Sequence, residues 1–111
     1  MSSRKEKSMK LLNIDYIPGC EIEALGLVKG TVVSSKHIGK DIGAGFKTLV
    51  GGELQGYTDM LVEARQVATK RMVDEAEALG ADAIVNIRYG SSMIMQSAAE
   101  IVAYGTAVKI K

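Results

Sequence analysis

The chain has 111 residues, a formal net charge of +1, 47% hydrophobic residues and 24% charged residues. This length is typical of one globular domain that buries its core without disulfides or metals. The near-zero charge and the aromatic content of only 5% argue against nucleic acid and anionic membranes as partners. We therefore expect a single soluble domain.

Residues 1–10, MSSRKEKSMK, are polar and basic and lack the apolar region of a secretory signal. We expect a flexible N-terminal end there, followed by one domain over residues 11–111. The single cysteine, Cys20, excludes an intrachain disulfide. The missing signal and the lone thiol together favour a cytoplasmic location.

Residues 24–34, ALGLVKGTVVS, are typical of a strand. Alternate side chains point to opposite faces, so the segment has two rows. The larger row is Leu25, Leu27, Thr31 and Val33, interrupted by Lys29, and the smaller row is Ala24, Gly26, Val28, Gly30 and Val32. Both faces of this strand are therefore largely apolar.

Residues 43–57, GAGFKTLVGGELQGY, invite comparison with phosphate-binding loops. A P-loop requires glycine immediately before Lys-Thr and five positions earlier, where this chain has Phe46 and Asp41. A dinucleotide G-x-G-x-x-G pattern that starts at Gly43 ends on Thr48. Both patterns fail, so we expect no phosphate loop here.

The same region has helical spacing instead, since Ile38, Ile42, Phe46, Leu49 and Val50 recur every three or four residues. Its glycines each cost about 1 kcal/mol of helix stability relative to alanine. Such glycines are usually kept where another backbone approaches closely. We predict a short helical arm that ends at a Gly-Gly pair and packs against another element.

Residues 57–79 are the clearest helix in the chain, with Gly80 as a left-handed stop. Its apolar stripe is Leu61, Ala64, Ala68, Met72, Ala76 and Leu79. Because alanines dominate this stripe, whatever packs on it comes close to the helix backbone.

Two more strands follow, at residues 83–89 and 100–111, with a turn at residues 90–92. In the former, Ile84, Asn86 and Arg88 are predicted to share a face. The order strand, helix, strand, strand predicts an α+β fold, a β-α-β-β unit with an antiparallel sheet in the order 1-3-2. The long helix would cover one sheet face and leave the other apolar face without a cover. That face needs residues 36–56 or a neighbouring subunit, which favours a homo-oligomer.

Several short motifs resemble those of the YbjQ-like family, over about residues 12–110. They are Gly51-Gly52-Glu53, Tyr57-Thr58, Glu63-Ala64-Arg65, Leu79-Gly80-Ala81-Asp82-Ala83 and Gly105-Thr106-Ala107-Val108. One departure is Asp82, where the family commonly has Asn.

The resemblance implies a small cytoplasmic protein from a bacterial or archaeal family of undetermined biochemical function. It also implies a dodecin-like two-layer subunit that assembles into a ring, most often a pentamer. The family carries a heavy-metal-binding label, and no catalytic residues are established that could be transferred to this chain.

The candidate ligand or interface residues are Gly51, Gly52, Glu53, Tyr57 and Arg65, which combine an acid, a phenol and a guanidinium near the start of the long helix. Ion pairs or subunit contacts are the simpler interpretation of the charged residues. An enzyme with a shared inter-subunit site on Glu53, Tyr57 and Arg65 is a third hypothesis. No cofactor motif supports it.

Soft metals prefer thiolate and imidazole ligands, and this chain offers only Cys20 and His37, with the thioethers of Met93 and Met95. A divalent or soft metal ion could bind if ring symmetry brings several copies of one residue together. An inert thiol is the simpler interpretation of Cys20, and Met side chains are usually packing material. The leading hypothesis is therefore a non-enzymatic, homo-oligomeric assembly module, and the alternative is a heavy-metal-binding protein with inter-subunit sites.

Overall fold

The computed structural model describes residues 8–35, 52–95 and 98–111. Within these residues, one helix packs on a four-stranded sheet, which confirms the α+β fold. The elements are β1 (Lys10–Leu11), β2 (Ile22–Ser35), α1 (Gly52–Ala78), β3 (Ala83–Met95) and β4 (Ala98–Ile110). The predicted helical arm lies outside the described residues.

The sheet order is β1-β3-β4-β2, so the last strand is flanked by the other two long strands, as predicted. Strand β4 pairs antiparallel with both β2 and β3. The three long strands thus form the predicted antiparallel sheet, and β1 adds a fourth strand that pairs parallel with the outer edge of β3. Met9 also packs against the core. Met9 and Lys10, within the segment predicted to be a flexible end, therefore contact the domain.

Two element boundaries differ from the prediction. The helix begins at Gly52, five residues earlier than predicted, with Gly56 inside it. Strand β3 continues through the predicted turn at residues 90–92, where Gly90 pairs with Val102. The Gly-Ser-Ser turn preference is overridden because the central strand offers a continuous ladder of backbone partners.

The core lies between α1 and one face of the sheet, the face to which Val28 and Gly30 of β2 belong. Ala64, Ala68, Met72 and Ala76 are buried on the helix side, as predicted, whereas Leu79 is 49% exposed because it follows the last helical residue. The strands contribute Val28, Ile84, Ile87, Ile101, Ala103 and Ala107 to this core. The alanines of the helix and Gly30 on β2 allow the helix backbone to approach the sheet closely.

The helix ends in a Schellman motif. Gly80 has φ of 80°, the left-handed conformation that glycine adopts without strain. Its amide donates to the Glu77 carbonyl at 3.0 Å, and the Ala81 amide donates to the Ala76 carbonyl at 3.1 Å. The predicted glycine stop is confirmed.

A β-bulge interrupts β3 at Asn86, which has φ of 59°. The pairing shifts from Val85↔Thr106 to Arg88↔Tyr104, so β3 carries one extra residue there. The bulge reverses the alternation of faces: Ile84 and Ile87 both join the helix-side core, while Arg88 lies on the opposite face beside Tyr104. The prediction that Ile84, Asn86 and Arg88 share a face is therefore wrong.

The face of the sheet that points away from α1, here called the far face, has its own small core. Ile17 is buried there with Ala83, Val85 and Val108, and Leu12, Ile22 and Ile110 pack around them. Part of the missing cover is thus supplied by the chain before β2. The prediction that it must come from residues 36–56 or from a neighbour is wrong for this half of the face.

Candidate functional site

The other half of the far face carries apolar side chains that the described residues leave uncovered. Leu27 is 65% exposed, Val33 59% and Tyr104 40%, and Thr31 and Val102 between them are half-buried. Strand pairing places these side chains side by side, since Thr31 is opposite Val102 and Lys29 opposite Tyr104. We call Leu27, Thr31, Val33, Val102 and Tyr104 the open patch.

A second apolar surface lies at the end of β3. Met93, Ile94 and Met95, here called the apolar tip, are 71%, 51% and 59% exposed. The pairing shifts between Met93↔Ala99 and Met95↔Ala98, so Ile94 is an extra residue in β3. Residues 89–99 include no charged side chain. The tip is therefore an uncharged projection at one end of the sheet.

A shallow groove of about 660 Å³ runs between α1 and β3. Its lining is Val62, Arg65, Gln66, Thr69, Lys70 and Tyr89. The Thr69 and Tyr89 hydroxyls lie 2.8 Å apart, and the Thr69 hydroxyl also donates to the Arg65 carbonyl at 2.7 Å. The bond between Thr69 and Tyr89 joins the helix to β3, and the exposed Arg65 side chain lines the groove.

The predicted ligand or interface residues are spread along one helix. Glu53 and Arg65 both belong to α1, and their positions are separated by about 18 Å along its axis. Gly52 is the first helical residue and Tyr57 lies one turn after Glu53, whereas Gly51 lies outside the described residues. One subunit therefore does not bring Arg65 together with Glu53.

The predicted metal ligands are also far apart. Cys20 is a free, exposed cysteine near the start of β2. The first residue of β2, Ile22, pairs with Ile110, the last residue of β4. Met95 pairs with Ala98, the first residue of the 13-residue β4. A strand of that length spans about 40 Å, so one subunit cannot join Cys20 to the apolar tip in one site.

His37 lies outside the described residues. Among those that the structure describes, no group of three His, Cys, Asp or Glu side chains could hold a metal ion.

Sequence reasoning missed two parts of this surface. The apolar tip directly follows the predicted turn at residues 90–92, and Met93 and Met95 were considered only as possible thioether ligands, although the charge-free run of residues 89–99 was a usable signal. Thr69 and Tyr89 were also missed. Their contact depends on how α1 crosses the sheet, and no short-range pattern encodes that. In the described part of the chain, no helix is long and apolar enough to span a membrane.

Proteins of similar sequence match nearly the whole chain. "UPF0145 protein" from Alkaliphilus metalliredigens is 64% identical over 101 residues, which cover 91% of this chain and 98% of the relative. Its counterpart from Fervidobacterium nodosum is 62% identical over 104 residues, 93% of this chain and 96% of the relative.

A crystal structure from Pediococcus pentosaceus, described as a protein of unknown function in the DUF74 family, shares the fold. The TM-score is 0.63 at 16% sequence identity, with 93% of this chain and 98% of that chain covered. Residues 9–111 match the family model YbjQ_1, described as "Putative heavy-metal-binding". The chain therefore belongs to the YbjQ family.

Proposed function

We propose that the protein is a non-enzymatic assembly module of the cytoplasm, a homo-oligomer in the form of a pentameric ring. The observation that carries this proposal is the open patch, whose apolar side chains no described residue covers, beside a half of the face that the chain covers itself. The number five comes from the family resemblance alone.

The energetic argument is that burial of apolar surface yields about 25 cal/mol per Å². Leu27, Val33 and Tyr104 each leave 40% or more of their surface exposed. The apolar tip adds three large side chains that are more than half exposed. Exposed apolar side chains grouped on one face often mark interaction sites, and a second copy is the partner always present at the protein's own concentration.

Ligand binding would occur between subunits, around the first half of α1. The distance of about 18 Å between Glu53 and Arg65 along the helix favours pairing of these residues across a subunit boundary. A carboxylate, a phenol and a guanidinium from adjacent copies would suit a small polar ligand. We propose no catalytic role for them, because the phosphate-loop and dinucleotide patterns fail in this region.

Native mass spectrometry of the protein purified from its own host tests both parts of this proposal. We expect a homo-oligomer, with any retained small molecule visible as an added mass. A monomer at micromolar concentration would contradict the assembly. A second arm uses Arg65→Ala: loss of a retained ligand from an intact oligomer would support a binding site, whereas loss of the oligomer would indicate a subunit contact.

Heavy-metal binding with inter-subunit sites is the second candidate. The observations that favour it are the exposed thioethers of Met93 and Met95 and the exposed Cys20 thiol. Thioether and thiolate sulfur are soft ligands that suit copper(I), whereas imidazole also suits zinc and nickel.

Titration of the metal-free protein with copper(I), zinc and nickel would test this candidate. A Cys20→Ala, His37→Ala double variant and a Met93→Leu, Met95→Leu double variant would serve as matched comparisons. We expect copper(I) binding to weaken in at least one of them. Equal binding by all three proteins would exclude these four side chains as ligands.

A further inference from the structure

We propose that the groove between α1 and β3 binds small organic anions that carry an apolar body, such as aromatic carboxylates or aromatic phosphate esters. The proposal deepens the ligand-binding part of the proposed function, on which it rests through Arg65, and it assigns this residue to a site that one subunit forms alone. The groove has a volume of about 660 Å³. That volume lies within the range of about 300–1,000 Å³ that is common for small-molecule sites.

The Asn86 bulge turns Tyr89 toward this groove. In a regular strand, Tyr89 would share a face with Val85, which belongs to the core of the far face. The extra residue shifts the pairing, so Tyr89 lies opposite Ala103, a residue of the helix-side core. The tyrosine side chain therefore lies on the helix side of β3, where it is 48% exposed.

Two hydrogen bonds fix Tyr89 as the floor of the groove. The Thr69 hydroxyl has one hydrogen, which it donates to the Arg65 carbonyl at 2.7 Å. The Tyr89 hydroxyl must then be the donor in its 2.8 Å bond to the Thr69 oxygen. Both hydroxyl hydrogens are thus in use, and neither hydroxyl can donate to a ligand anion. What the floor leaves open is apolar surface, from Tyr89 and from Val62, which is 40% exposed.

The charged side chains of the groove are positive. Arg65 and Lys70 line it, and none of the lining residues is acidic. The Lys70 ammonium contacts both carboxylate oxygens of Asp74, at 3.1 and 3.2 Å, so a neighbour on the helix offsets its charge. The residues three and four positions from Arg65 on either side are not acidic; they are Leu61, Val62, Ala68 and Thr69. Arg65 therefore brings to the groove an exposed positive charge that these helix neighbours do not offset.

These features define the class of ligand. A guanidinium binds two oxygens of a carboxylate or phosphate through paired hydrogen bonds. An apolar body that covers Tyr89 and Val62 removes their open surface from water, and an aromatic body also gains from contact with the tyrosine ring. A cation is repelled by Arg65, and a small inorganic anion leaves the apolar floor uncovered. The groove thus favours an anion with an apolar body over either part alone.

The experiment titrates the isotope-labelled full chain with benzoate and with phenyl phosphate and follows the backbone amide signals by NMR. Benzamide, a neutral molecule of nearly the same shape as benzoate, and inorganic phosphate are the comparison ligands. We expect saturable shifts at residues 65–70 and 89 with one or both probes, and the stronger of the two distinguishes a carboxylate from a phosphate ligand. Both comparison ligands should bind at least about tenfold more weakly, since each lacks one of the two parts.

Three variants test the residues of the groove. Arg65→Gln should weaken binding at least about tenfold, because a hydrogen bond to a charged group is lost. Val62→Glu should weaken it as well, since a carboxylate three residues before Arg65 pairs with the guanidinium. Lys109→Gln is the matched control and should bind as the wild type does. It removes one positive charge, but the Lys109 ammonium contacts the Gly80 carbonyl at 3.0 Å, beyond the end of α1.

Val62 and Arg65 are both exposed, and the amide spectrum itself shows that each variant is folded. The proposal is overturned if neither probe shifts the groove signals saturably, if Arg65→Gln binds as tightly as the wild type, or if a comparison ligand binds as tightly as the probes. Light scattering of the same samples reports their mass. Loss of binding with a changed mass in both groove variants would place the site at a subunit contact and contradict a groove formed by one subunit. A monomeric wild type that still binds the probes would contradict the proposed assembly and support the groove site.

Discussion

Gly30 sets the distance between α1 and the sheet. A Cβ added at this position would overlap the Ala68 carbonyl oxygen and the Met72 amide nitrogen, both in the helix backbone. Backbone atoms cannot move aside as the end of a long side chain can. The close approach implied by the alanine stripe therefore depends on this residue.

We expect Gly30→Ala to lower the free energy of unfolding by about 3 kcal/mol, because the helix must shift away from β2. Urea denaturation at fixed protein concentration would measure this change in the free energy of unfolding. Gly90→Ala is the matched control, since a Cβ there would meet only the Val102 Cγ1 atom at an ordinary 3.5 Å. Equal stability of the two variants would show that Gly30 is not a close contact.

At the scale of the elements, the Asn86 bulge decides which β3 side chains face the helix. The backbone N–H of Asn86 donates to the Ile14 carbonyl at 2.7 Å, and the backbone N–H of Ile87 donates to the Leu12 carbonyl at 3.1 Å. The bulge thus also holds the N-terminal segment that covers half of the far face.

We predict that Asn86→Val costs about 2 kcal/mol of stability, because a β-branched residue is strained at positive φ. Asn86→Gly should stay within about 1 kcal/mol of the wild type, since glycine adopts this conformation freely. Thermal unfolding of the two variants would test this. The bulge assignment is contradicted if valine is tolerated as well as glycine.

The outer edge of β2 is covered by side chains of α1. The Glu75 carboxylate accepts the Lys29 amide at 2.8 Å, and the Arg71 guanidinium donates to the Thr31 carbonyl at 2.7 Å. Uncovered strand edges can pair with other chains and aggregate. These two contacts therefore protect one edge of the sheet.

We expect an Arg71→Ala, Glu75→Ala double variant to aggregate faster on mild heating, with little change in helix content beforehand. Turbidity over time would measure the aggregation rate. Lys70→Ala is the control, because its exposed ion pair with Asp74, at 3.1 Å, does not reach the sheet. An unchanged aggregation rate in the double variant would show that these contacts do not protect the edge.

Local sequence patterns were sufficient to predict the buried stripe of the helix, its end at Gly80 and the order of the three long strands. They failed where tertiary contacts override local preference, as at residues 90–92. The bulge also escaped prediction, because Asn86 fits an alternating strand pattern and only the shift in pairing between β3 and β4 reveals the extra residue. A single such residue reverses the face of every side chain beyond it.

At the scale of the whole molecule, the two-faced apolar sheet was visible in the alternating rows of residues 24–34. The sequence did not reveal that the far face is divided into a covered half and an uncovered half. Ile17 and its neighbours cover one half, and only the three-dimensional course of the N-terminal segment shows this. Glu53, Tyr57 and Arg65 were chosen for their chemistry near the start of the predicted helix, and their separation along α1 follows from helix geometry alone.

The central claim is that a second copy covers the uncovered half of the far face. Light scattering of the wild-type protein across a range of micromolar concentrations tests it most directly. We predict a stable homo-oligomer, with five times the subunit mass of 11.8 kDa for a pentameric ring. A single species at the subunit mass throughout that range would contradict the claim.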